Sequence, residues 1–79
     1  MDLDMSGLSA CWQATYEQAW AAWCAGTIPI GATVSDSTGA LVAAGRNRVF
    51  CAEAPAGQVA GTWIAHAEVN ALLQLPAGQ

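Results

Sequence analysis

The only histidine of the chain stands two residues before a carboxylate, in His66-Ala67-Glu68. A neutral imidazole is a metal ligand, and a nearby carboxylate outside the coordination sphere can move protons for a metal-bound water. In the middle of a helix, side chains two apart point to different faces and cannot share a site. At a helix start the objection lapses, because both side chains can lean past the end toward a common point, and this triplet falls where a second helix is expected to begin. The same residues also read as a solvent-facing histidine with Glu68 stabilising the helix N-terminus through the macrodipole. The three cysteines, Cys11, Cys24 and Cys51, are odd in number and widely spaced. They read as reduced thiols filling small buried positions rather than as a disulfide framework.

The elements that must position this triplet are legible in outline. From Leu8 to Ala25 the residues Trp12, Tyr16, Ala19, Trp20 and Trp23 fall at i, i+4, i+7, i+8 and i+11, one face of a helix. Ser6 or Ser9 can cap it, and Gly26 stops it. The aromatic stripe is expected to lie on a sheet. After Ile28-Pro29, the residues Ile30, Ala32 and Val34 alternate with Gly31, Thr33 and Ser35, a strand period. Asp36-Ser37-Thr38-Gly39 supplies a turn, and Leu41 to Gly45 returns as a second strand, with Gly31 and Gly45 suggesting close backbone approach. From Arg46 to Trp63 the pattern dissolves into a long loop, of the kind that often carries function. Regular structure resumes near Ala65, where Val69, Leu72 and Leu73 mark the expected buried side of a short helix ending before Pro76. The order is helix, strand, strand, helix, with no internal repeat.

Seventy-nine residues make one small domain, 1–79. Hydrophobic residues are 54% of the chain. Eighteen of them are alanine and three are cysteine, which leaves 22 large apolar side chains for a core. A core this thin usually needs a metal, disulfides or a partner, and a lone two-stranded hairpin is marginal in water. The unit therefore reads as part of a larger sheet. Two arginines, no lysine and six acids give a net charge of −4, which excludes a phosphate-tracking surface on this chain. With 10% charged residues the composition is not that of a disordered chain. No run approaches a membrane span and the first residues are acidic where a signal peptide would be basic, so a cytoplasmic location is expected.

Pro29-Ile30-Gly31-Ala32 entering a strand, the hairpin, Gly45-Arg46-Asn47-Arg48, the loop and then His66-Ala67-Glu68-Val69-Asn70-Ala71-Leu72 follow one another in order. This succession resembles the N-terminal half of the zinc-dependent cytidine and deoxycytidylate deaminase superfamily, nearest the branch of tRNA adenosine deaminases and guanine deaminases, over residues 8–75. The resemblance implies an α/β chain forming the N-terminal part of a three-layer α/β/α fold. It also implies hydrolytic deamination of a nucleobase, nucleoside or nucleotide amine. By that resemblance His66 is a Zn2+ ligand, and Glu68 takes a proton from the zinc-bound water and returns it to the ring nitrogen and the leaving amine. Asn47 contacts substrate and the backbone N–H of Ala67 hydrogen-bonds the base, while Asn70 takes no catalytic role. Asn47 also reads as ordinary turn chemistry after a strand. Members of the family commonly assemble as dimers or higher oligomers.

The second family signature, P-C-x-x-C, does not occur in the sequence. A catalytic zinc needs three protein ligands, and Cys51 and Glu53 match no ligand spacing. The expectation is that this chain alone neither holds catalytic zinc nor turns over substrate, and that a complementary C-terminal fragment carrying P-C-x-x-C supplies the cysteines. The alternative is a non-catalytic deaminase-like half-fold acting as an interaction or scaffold module. The acidic balance favours a free nucleoside, nucleobase or nucleotide over a nucleic acid. Phe50 and Trp63, in or beside the loop, stack on a base or else simply pack the loop.

Overall fold

The computed structural model describes residues 9–76. Helix α1 spans Ala10–Cys24, strand β1 Gly31–Ser35, strand β2 Leu41–Arg46 and helix α2 Ala67–Leu72, the order expected from the sequence. Ser9 caps α1 in an extended conformation, and its side-chain oxygen accepts from the Trp12 amide at 3.3 Å. Ser6 lies outside the described residues. At the other end Gly26, at φ 79°, donates its N–H to Trp23 O while Thr27 N–H reaches back to Ala22 O. That pair of bonds is the Schellman arrangement, which satisfies carbonyls the helix end leaves unpaired.

The strands form an antiparallel hairpin with Gly31 opposite Arg46, Ala32 opposite Gly45, Thr33 opposite Ala44 and Val34 opposite Ala43. The next pair is Ser35 with Leu41, so Val42 is an extra residue on β2 and forms a bulge beside the turn. Asp36 organises that turn. Its Oδ1 accepts from Thr38 N, Thr38 Oγ1 and Ala40 N at 2.9, 2.6 and 3.0 Å, which holds its carboxyl below the usual range, the Thr38 hydroxyl contributing most.

The two helices cover opposite faces of the hairpin. A Cβ on Gly31 would strike the backbone of α1 at Thr15 and Ala19, and a Cβ on Gly45 would come within 2.8 Å of Ala67 O in α2. Gly31 and Gly45 are offset by one position in the register, so their missing side chains point to opposite sides of the sheet. Only glycine allows backbones to meet this closely, and the approach dictates which helix residues fit between them.

That dictate overturns two expectations. The aromatic stripe of α1 does not lie on the sheet: Trp12, Tyr16, Trp20 and Trp23 are 47–61% exposed. The face turned inward carries Thr15, Ala19 and the fully buried Ala22, since an indole has no room where helix and strand backbones touch. Likewise on α2 the buried residues are Ala67, Asn70 and Ala71, while Val69 is half-buried and Leu72 and Leu73 are exposed. Among the described residues the buried apolar core is Ala22, Ala43, Val49, Ala65, Ala67 and Ala71. No helix of the described residues is long and apolar enough to cross a membrane.

Candidate functional site

The loop of residues 47–66 carries Asn47 at one end and His66 at the other, and hydrogen bonds fold it into a fixed shape. Arg48 N–H donates to Ala65 O at 2.9 Å, and Arg48 O accepts from Cys51 and Gly61 N–H, both at 3.0 Å. The first of these bonds ties the residue after Asn47 to the residue before His66, so both candidates sit at the same end of the fold.

His66 is the N-cap of α2, extended at φ −76°, ψ 156°, and its side chain makes no capping bond. The imidazole turns instead to Glu68, with Nδ1 3.2 Å from Oε1 and both side chains more than half exposed. The structure thus brings together the two residues of the triplet, at a helix start as the sequence required. A carboxylate on Nδ1 favours the tautomer that carries its proton there and leaves the Nε2 lone pair outward. Ala67 is fully buried against β2. As the first helical residue its N–H belongs to the turn for which helix geometry provides no intrahelical acceptor.

Asn47 is only 2% exposed. Its backbone N–H continues the hairpin ladder to Ile30 O at 3.0 Å. Its Oδ1 accepts from Thr27 Oγ1 at 2.8 Å and from Val49 N–H at 3.0 Å. The Thr27 hydroxyl in turn accepts from Phe50 N–H at 3.2 Å. The bond to Val49 is turn chemistry of the kind expected after a strand. Both bonds use the carbonyl end of the amide and leave the NH2 end to donate elsewhere. Thr27 is the residue sequence reasoning missed here: only its place directly after the Gly26 stop hints that it meets the next element.

Asn70 has the structural role that the lack of a catalytic one left open. Completely buried, its Nδ2 donates to Arg46 O and Val59 O at 3.2 and 3.1 Å, and its Oδ1 accepts from Val59 N–H at 2.8 Å. It clamps the loop to both β2 and α2.

The remaining candidates are dispersed. All three cysteines are free, as expected, but they are not buried: Cys24 is exposed and Cys11 and Cys51 are half-buried. The helix face that carries Cys24 turns to solvent with its tryptophans. Cys51 Sγ lies 3.5 Å from Arg46 Nη1. The Arg48 guanidinium is pushed below its ordinary value by burial and by the neighbouring positive charge of Arg46, and its Nε is buried without a partner. Phe50 and Trp63 pack on each other edge to face, centroids 5.6 Å apart. Among the described residues no three His, Cys, Asp or Glu side chains gather where they would hold a metal ion, so the donor set present does not by itself fit a catalytic zinc.

Compared with protein-family models, curated proteins and solved structures, the chain matches none.

Proposed function

We propose that this chain works as a non-catalytic α/β interaction or scaffold module, a deaminase-like half-fold that acts through the surfaces it offers to another polypeptide. One observation carries the reading. Twelve large apolar side chains among the described residues are 45% or more exposed, from Trp12 to Leu73, whereas five of the six buried apolar residues are alanine. Apolar surface on this scale, beside so small a core, marks a protein that meets a partner. The isolated chain is expected to show no turnover of cytosine, adenine or guanine bases or nucleosides, with or without added Zn2+. Turnover by the chain alone would overturn the reading.

The His66–Glu68 contact supports a second reading. In it the module is the N-terminal half of a zinc-dependent deaminase, nearest the tRNA adenosine and guanine deaminase branch, completed by a C-terminal polypeptide carrying P-C-x-x-C. Here His66 supplies one zinc ligand, Glu68 handles protons, and the NH2 end of Asn47 and the N–H of Ala67 face substrate. The order of elements, helices on both faces of the hairpin and the free donor end of Asn47 agree with it. A small nucleobase, nucleoside or nucleotide in the cytoplasm is the substrate class this reading favours. Adding a polypeptide with P-C-x-x-C tests it: turnover should appear and vanish in Glu68→Ala, and an assembled pair that stays inactive removes this reading while leaving the first in place.

A further inference from the structure

The two edges of the hairpin differ. In an antiparallel pair, alternate residues turn their backbone groups toward the partner strand and away from it. Asn47 N–H bonding to Ile30 O fixes the phase, so Arg46 and Ala44 face outward on β2, and Gly31 and Thr33 on β1. The β2 edge is closed from within: Asn70 Nδ2 donates to Arg46 O at 3.2 Å and Gln74 Nε2 to Ala44 O at 2.7 Å. On the β1 edge no described side chain plays that part. A groove of about 460 Å³ runs along it instead, lined by Cys11, Trp12 and Thr15 of α1 and by Gly31, Ala32, Thr33 and Ser35 of the strand. The edge has none of the devices that blunt exposed strands, neither proline, charge nor bulge on β1 itself.

We propose that this edge pairs with the β1 edge of a second copy of the chain, antiparallel, about a two-fold axis through Thr33. The outward residues are self-complementary about that point. Thr33 would exchange both backbone bonds with Thr33 of the partner subunit, and Gly31 would pair with Ser35 of the partner subunit, giving about six N–H···O bonds in all. Charge allows the approach, because every residue lining the groove is neutral although each chain carries −4. Area requires more than the strands, since a stable dimer covers roughly 800 Å² on each partner. The axis supplies it by bringing the two α1 helices side by side on one face, where Trp12, 59% exposed and 6.3 Å from the Tyr16 ring, can cover the groove mouth. The product is a four-stranded sheet with helices on both faces, long enough to stand alone where a hairpin is marginal. The proposal goes beyond the reading above, because it needs neither zinc nor a second kind of polypeptide.

The Cys11 carbonyl oxygen accepts from Thr33 Oγ1 at 3.4 Å, whereas its thiol turns along the hairpin to Gly39 O at 3.5 Å, so the backbone amides of β1 and not the thiols report on the axis. Sedimentation and amide hydrogen exchange of the purified chain test the proposal. The expected result is a concentration-dependent doubling of mass. The Gly31 and Thr33 amides should gain protection from exchange only as the dimer forms. Thr33→Pro, which removes an outward N–H that the hairpin does not use, should weaken self-association by about tenfold or more relative to Thr33→Val, which loses the same Oγ1 bonds to Thr15 and Cys11 but keeps the N–H. A monomer at every concentration overturns the proposal, and so does a dimer in which the Gly31 and Thr33 amides gain no protection. Protection of Gly31 and Thr33 in a monomer, or only on adding a P-C-x-x-C polypeptide, overturns it as well, and the latter result would leave the function reading standing.

Discussion

Replacing Asn70 by alanine should cost this chain a large part of its stability. The carboxamide is completely buried and makes three bonds, to Arg46 O and to both backbone groups of Val59. At roughly 1 kcal/mol net for each, the loss is about 3 kcal/mol, and any backbone group left dry adds about 1–3 kcal/mol more. A 79-residue chain has about 4–12 kcal/mol in total at ~0.05–0.15 kcal/mol per residue. Urea unfolding followed by tryptophan fluorescence would read the change. With m near ~1 kcal/mol/M the midpoint should fall by about 3 M, leaving about 1–9 kcal/mol of stability in the variant. Asn70→Asp keeps the acceptor for Val59 N–H but sets a carboxylate against two carbonyls, so it should fare no better at neutral pH. The Val59 amide should lose its exchange protection in both variants. An Asn70→Ala midpoint within about 0.5 kcal/mol of the parent would refute the claim that this side chain clamps the loop to β2.

Three further outcomes are expected. Gly45→Ala should destabilise by about 1–3 kcal/mol or more, because its methyl meets the α2 backbone; a urea midpoint unchanged from the parent would mean the helix does not rest on the strand there. Glu68→Gln should change stability by less than about 1 kcal/mol, since the pair with His66 is exposed, and thermal melts in low and high salt would expose a larger effect. Asp36 has its folded-state pKa lowered by bonds from Thr38 and Ala40. Its contribution is therefore complete above the unfolded value of 3.8 and is lost as pH falls through the lower folded value. Comparing unfolding of the parent and Asp36→Asn between neutral pH and about pH 2 should show a shallower acid loss in the variant, and parallel curves would contradict it.

What was legible in the sequence was local. Ser9 and Gly26 act within one turn of the helix they bound, and Asp36 to Gly39 close the hairpin with bonds spanning four residues. The triplet at the start of α2 was readable for the same reason, since helix-end geometry alone brings His66 and Glu68 into contact. The face of α1 was not, because a large apolar side chain is buried only where the neighbouring element leaves it room. The decisive fact lies in Gly31, a residue of another element that leaves room only for small side chains. Asn70 shows the same limit, as its partners are 11 and 24 residues away and nothing near it in sequence names them. Asn47 was readable as a turn residue, yet the bond from Thr27, 20 residues earlier, emerges only from the folded chain.

The proposed role makes this chain an interaction module that holds no catalytic zinc by itself. Elemental zinc and intact mass, measured on the same purified sample after dialysis against Zn2+, test it most directly. Well below one zinc per chain is expected when this polypeptide is the only one present. One tightly held zinc per chain with no second polypeptide, lost in His66→Ala, would contradict it.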